Sequence, residues 1–232
     1  RRLAARGAKV SIFDLNDQLG QQTAAELGGQ YFKIDVTDEM AVRAALMGAE
    51  TLHGKARILV NCAGIGSPTK IINRDGSAMP LADFSRIISV NLVGTFNVLS
   101  QFGARLHDLD IGDAEERGVV INTASVAAFE GQIGQAAYAA SKAGIAGMTL
   151  PIAREFARHA IRVMTIAPGL FRTPLLASLP QEAQDSLGRQ APFPSRLGQP
   201  DEYARLVENI VDNPMLNAEV IRIDGAIRMA AK

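Results

Sequence analysis

The chain has 232 residues, of which 47% are hydrophobic and 21% charged, a composition that supports a sizeable packed core and argues against disorder. Its 24 basic residues balance 24 acidic ones, so no net field draws it to nucleic acid or to an anionic membrane surface, and no run of about eighteen apolar residues predicts a membrane span. The single Cys62 rules out an internal disulfide and fits a reducing compartment, the cytoplasm or alternatively the mitochondrial matrix, while His53, His107 and His159 are too scattered to form a metal set.

In chain order, the opening Arg1-Arg2-Leu3-Ala4-Ala5-Arg6 reads as the end of a helix with Gly7 as its C-cap. Apolar strand runs follow at 10–13, 31–34, 58–61, 119–122, 162–166 and 219–223. Helix-period segments lie at 18–27, 39–53, 81–106, 136–159 and 200–212. The alternation predicts an α/β fold, a doubly wound parallel sheet of Rossmann type in three αβα layers, built as one domain over residues 1–232. Pro151 should bend the 136–159 helix or free a carbonyl. The small residues Ala139, Ala140, Ala143, Gly144 and Gly147 make that helix slim, for ordinary core packing or for a helix of a second subunit.

Ligands of such a sheet bind at the carboxyl ends of its strands. Asp14 closes the first strand, where a carboxylate would accept hydrogen bonds from an adenosine ribose. It would repel a 2′-phosphate by about 4 kcal/mol at 4 Å for an effective dielectric of 20, which favours NAD over NADP. Turn chemistry explains an aspartate there equally well. Asp35 and Val36, after the second strand, could meet an adenine edge, or Asp35 could cap the next helix. Asn61-Cys62-Ala63-Gly64, after the third, lets a backbone approach a ribose closely, with Cys62 read as a small buried hydrophobe. Pro168-Gly169 gives the fifth strand a sharp exit and leaves the Thr173 hydroxyl free to meet a carboxamide; a plain turn accounts for the same residues.

Ser125 and the pair Tyr138/Lys142 carry the strongest chemical signal. Four residues apart, Tyr138 and Lys142 share one helix face, and Ser125 stands just past the strand at 119–122. A tyrosine acting as acid/base near neutrality must titrate about three units below its usual ~10, worth about 4 kcal/mol. One adjacent cation supplies about one to three units. Lys142 is therefore expected to lower the phenol, an oxidised nicotinamide to add to its effect, and Ser125 to hold the substrate oxygen. One part is missing: the first strand and glycine-rich turn that cradle a pyrophosphate in such a fold. Gly64-Ile65-Gly66 cannot substitute, because it follows a later strand. The chain is therefore expected to be N-terminally incomplete, with a central strand lost from its sheet.

With Asn61-Cys62-Ala63-Gly64, Asn91 within Val90–Gly94, Ser125, Tyr138/Lys142 and Pro168-Gly169 in this order, the chain resembles the short-chain dehydrogenases/reductases over nearly its whole length. The stretches 125–138, 149–154, 167–171, 192–198 and 219–228 resemble the type-2 3-hydroxyacyl-CoA dehydrogenases, also called type-10 17β-hydroxysteroid dehydrogenases. That resemblance implies NAD-dependent oxidation of a secondary alcohol such as a 3-hydroxyacyl-CoA, with Ser125, Tyr138, Lys142 and Asn91 as the catalytic set. Asn91 would anchor a water that links Lys142 to solvent. Asp14, Asp35, Val36, Cys62, Ala63, Gly64, Tyr138, Lys142, Pro168, Gly169, Phe171 and Thr173 would hold NAD. Gln132 and Gln135 would join Ser125 and Tyr138 around the substrate, under a mobile lid over about 170–195, in a homotetramer. The competing readings are a 3-oxoacyl-carrier-protein reductase, which Asp14 disfavours because such reductases usually take NADPH, and a non-catalytic structural subunit of the same fold.

Overall fold

The computed structural model describes residues 1–66, 68–173 and 180–231. Its elements run α1 (Arg2–Ala5), β1 (Ser11–Asp14), α2 (Asp17–Leu27), β2 (Gln30–Lys33), α3 (Glu39–His53), β3 (Ile58–Asn61) and α4 (Leu81–Ile88). A π-helical turn (Ser89–Val93) leads from α4 into α5 (Gly94–Leu106), followed by β4 (Gly118–Thr123), α6 (Ala136–Phe156), β5 (Ile161–Pro168), α7 (Gln181–Gly188), α8 (Pro200–Asp212) and β6 (Val220–Ile223).

Local chemistry sets many of these boundaries. Asn16 caps α2 through the Leu19 amide, and Gly28 closes it in the left-handed region at φ 61°. Asp38, not Asp35, caps α3 through the Ala41 amide; Asp35 instead folds back on the Thr37 amide and hydroxyl. Gln199 and Glu202 form a reciprocal capping box around Pro200 at the start of α8. Pro151 lies within α6 without interrupting it, and one 3₁₀ turn, Ala157–His159, completes the helical segment. Helix α7 falls inside the stretch expected as a lid, where no helix was predicted, and positions 174–179 of that lid lie outside the described residues.

All the strand pairings are parallel, and period-two alternation makes the sheet two-faced. On β4, Val120 packs with Leu99, Phe102 and Leu106 of α5 and Ile152 of α6, while Val119 and Ile121 pack on the other face with Val207 and Ile210 of α8. Helices thus cover both faces, as predicted. The sheet is in two parts, β1-β2 and β3-β4-β5-β6, with no hydrogen bonding between β1 and β3 among the described residues. The residues of β3 are only half-buried, whereas those of β4 and β5 are almost all buried. Leu59 of β3 and Phe13 of β1 both pack against the cluster of Ile34, Val42, Ala45, Leu46 and Val98, which bridges the two parts. The continuous helix Leu81–Leu106 is long and apolar enough to cross a membrane by length and composition; here one of its faces is core.

Candidate active site

The carboxyl ends of the parallel strands bring together most of the residues singled out from sequence. Asp14 ends β1, Asp35-Val36 follow β2, Cys62-Ala63-Gly64 follow β3, Ser125 follows β4 and Pro168-Gly169 close β5. Asp14, Asp35, Cys62, Ala63, Gly64 and Thr173 are all exposed there. The Asp14 carboxylate accepts the Asn16 amide through Oδ1, its one hydrogen bond among the described residues. Val36 sits against Gly94, and its carbonyl accepts from Asn97. The Cys62 residue is exposed, which corrects its reading as a buried hydrophobe, but its sulfur turns inward, 3.7 Å from Thr123 Oγ1, and burial pushes the thiol up. The Phe171 ring lies over Gly198, where any Cβ would strike it.

Ser125 is extended and caps the short 3₁₀ turn Val126–Ala128 through the Ala127 amide. Tyr138 lies in the first turn of α6, with Lys142 one turn on and only 5% exposed. Lys142 Nζ donates to the Thr123 carbonyl at 2.8 Å and stands 5.7 Å from the centre of the Tyr138 ring. Burial pushes the lysine down to about 8, with Cys62 opposing. The phenol moves opposite to the sequence expectation: burial raises Tyr138 above its ordinary value, and a Ser125 hydrogen bond pulls it partly back. The reason is geometric, because the ammonium reaches a backbone carbonyl and not the phenolic oxygen, so desolvation dominates.

Asn91 lies at 0% exposure in the π-helical turn. Its Oδ1 accepts the Ile65 amide at 2.8 Å, and its Nδ2 donates to the Ile65 carbonyl at 2.9 Å and to Ser141 Oγ at 3.0 Å. Thr95 occupies its backbone carbonyl at 2.6 Å. Asn91 is therefore a clamp on the loop after β3. That clamp explains Gly64 and Gly66: a Cβ on Gly64 would stand 3.3 Å from Asn91 Oδ1 and 3.5 Å from Lys142 Nζ, and one on Gly66 would stand 3.3 Å from the Tyr138 ring. The absence of side chains at both positions lets the loop lie against the site.

Gln132 and Gln135 are brought near α6 with their amides engaged by the chain: Gln132 Nε2 donates to the Ala230 carbonyl and Gln135 Oε1 accepts the Gln132 amide. Both border an open cavity of about 480 Å³ with Lys70, Ile71 and Ile133, closed on α6 by Ala139 beside Tyr138. Of the slim face of α6, Gly144 is filled by Leu92 of the same chain, whereas Ala140, Ala143 and Gly147 are exposed. Among the described residues no group of three or more His, Cys, Asp or Glu is placed to hold a metal ion.

Thr123 and Tyr203 were missed by sequence reasoning. Thr123 Oγ1 bonds to the Asn61 carbonyl at 2.6 Å and to the Tyr203 hydroxyl at 2.7 Å, joining the ends of β3 and β4 to α8. With its one proton given to Asn61, Thr123 accepts from Tyr203, whose phenol burial pushes up. The decisive Thr123 contact is made by a backbone carbonyl, which every residue carries.

The family model described as short chain dehydrogenase matches residues 1–184. The chain belongs to the short-chain dehydrogenase family. It is 53% identical over 231 residues to the human 3-hydroxyacyl-CoA dehydrogenase type-2, covering 98% of this chain and 88% of that one. The Drosophila melanogaster protein of the same name is 51% identical, with 98% and 91% covered. The crystal structure of 3-hydroxyacyl-CoA dehydrogenase type-2 from Mycobacterium avium superimposes with a TM-score of 0.94 at 41% identity, covering 100% of this chain and 91% of that one. The short-chain dehydrogenase described here is therefore an oxidoreductase that acts on a small molecule with a nicotinamide cofactor.

Proposed function

We propose that this short-chain dehydrogenase oxidises the secondary alcohol of a 3-hydroxyacyl-CoA with NAD, working as a homotetramer. The observation that carries the reading is the convergence of Ser125, Tyr138 and Lys142 at the end of β4 and the start of α6 in a chain half identical to dehydrogenases named for that substrate. NAD is supported by Asp14, an exposed carboxylate at the end of β1 that fits a ribose diol and opposes a 2′-phosphate. The small exposed residues after β3 and the Lys142 ammonium, which among the described residues donates to the Thr123 carbonyl alone, fit a second ribose.

When bound, the oxidised nicotinamide accepts the carbinol hydride and brings one positive charge beside the site. Ser125 holds the alcohol oxygen and Tyr138 Oη takes its proton. Lys142, charged below about pH 8, holds the ribose and supports the phenolate field. Asn91 keeps the 64–66 loop against both. Because burial raises the phenol within the chain's own environment, the tyrosine depends on the cofactor's charge as well as on Lys142 to reach a working range.

The test is formation of reduced nicotinamide from 3-hydroxybutyryl-CoA with NAD, repeated with NADP. Turnover with NAD alone supports both assignments. Binding of NAD by thermal shift without turnover on 3-hydroxyacyl-CoA of any chain length overturns the substrate.

A further inference from the structure

The segment that joins Ser125 to Tyr138 is held by Arg222 of β6 and by the stretch 227–231. Glu130, near its middle, accepts from Arg222 Nη1 at 2.6 Å and Nη2 at 3.1 Å and from the Met229 amide at 3.2 Å, with Arg228 Nε 3.3 Å away. Arg222, on β6, is in turn held by Asp224 at 2.7 Å and by the Ile227 carbonyl at 3.0 Å, and its guanidinium lies 5.4 Å from the centre of the Phe129 ring. Two contacts continue the line: Gln132 Nε2 donates to the Ala230 carbonyl and the Ile133 amide to the Ala231 carbonyl, both at 3.0 Å. Residues 227–231 thus run along 129–133 as a strap. The Gln135 side chain then accepts the Gln132 amide at 3.0 Å, and its carbonyl accepts the Ala139 amide at 2.7 Å, which carries the fixation into the turn that bears Tyr138.

We infer that Glu130 is a positioning residue: by gripping Arg222 and the Met229 amide it anchors the 227–231 strap, which sets where the Gln132–Gln135 loop stands relative to Tyr138 on the alcohol side of the site. Three features support this. The charges close on themselves, two carboxylates against two guanidinia, with Asp224 only 8% exposed, an arrangement with geometric specificity that lone surface pairs lack. Arg222 holds the Glu130 carboxyl below its usual range, so the grip persists through neutral pH. Beyond the buried Ile227, residues 228–231 contribute to none of the main core clusters, so holding this loop is the principal structural work the strap performs.

The consequence for the alcohol rests on the function proposed above, and the experiment separates the two. The full chain is compared with Glu130→Gln and with a chain stopped after Arg228, which loses the strap carbonyls but keeps the ion pairs. Amide hydrogen exchange without any substrate should quicken at 130–135 and at the start of α6 in both variants, and not in β4 or β5. In turnover, the KM for 3-hydroxyacyl-CoA should rise about tenfold, as expected for loss of a charge-assisted contact, with the KM for NAD changed less than about twofold. Unchanged exchange at 130–135 in the shortened chain overturns the strap whatever the reaction proves to be. Equal rises in both KM values, or a fall in Tm with no change in either, would overturn the positioning role and leave Glu130 a purely structural residue.

Discussion

Lys142 Nζ donates to the carbonyl of Thr123 at 2.8 Å, from a position almost sealed from solvent. This places an ammonium where burial opposes its charge and pushes it down to about 8. A folded pKa below the unfolded value of about 10.5 means that folding disfavours the proton. The cost is absent above about pH 10.5, grows as pH falls to about 8 and is fully present below that.

Lys142→Met should therefore abolish turnover while stabilising the fold at pH 7 by about 1–3 kcal/mol, after allowance for the lost hydrogen bond. The gain should vanish above about pH 10.5. Denaturant unfolding at neutral and alkaline pH measures both, and a variant less stable than the parent at pH 7 would show that the lysine is not strained by burial.

Tyr138→Phe removes the proton acceptor and its hydrogen bond with Ser125, while the ring keeps its packing on Gly66. The kcat should fall by about 10²–10⁴ or more with NAD affinity nearly unchanged, as read by single-turnover kinetics and thermal shift. Residual activity within tenfold of the parent contradicts the assignment.

Asp14→Ser deletes the exposed carboxylate at the end of β1. The preference for NAD over NADP in kcat/KM should narrow by about tenfold or more, a fraction of the ~4 kcal/mol that an effective dielectric of 20 would give, because the site is open to solvent. An unaltered ratio would move cofactor selection elsewhere in the chain.

Asn91→Leu keeps the volume but strips three hydrogen bonds from a side chain at 0% exposure, leaving the Ile65 amide and carbonyl without their partners. We expect a loss of about 2–4 kcal/mol and a falling kcat, because the 64–66 loop loses its hold beside Tyr138 and Lys142. Full activity in the folded fraction would confine Asn91 to stability.

Acid should unfold the protein through a few carboxylates. Glu130 is held below its ordinary range by Arg222, and Glu202 is lowered to about 2 by Arg196 with the Gln199 amide. Folded values below unfolded ones give stability that is present above about pH 4.5 and lost as pH falls through the folded values. Stability should hold down to about pH 4.5 and then fall, by less than about 1 kcal/mol per exposed pair, and the Tm with it. Glu202→Gln should flatten the lower part of that decline, which scanning calorimetry from pH 6 to pH 2.5 would reveal.

How much was legible before the structure depends on the type of contact. The four-residue spacing of Tyr138 and Lys142 and the strand runs were readable because each is a period within one element. That the Lys142 ammonium finds the Thr123 carbonyl could not be read, because spacing within a helix does not say which acceptor it reaches. Asn91 stood out by residue type, yet its clamp on Ile65 could not be read, since it grips a backbone amide and carbonyl.

The sequence by itself determined the order of strands and helices, the two faces of each strand and the residues at the strand ends, because periodicity, capping and side-chain chemistry act over a few neighbours. Tertiary structure decided which carbonyl Lys142 donates to, how Asn91 holds the loop after β3, and that Glu130 meets Arg222, 92 residues further on. Those contacts join distant segments, many of them through backbone groups common to all residues, and they exist only once packing has brought the segments together.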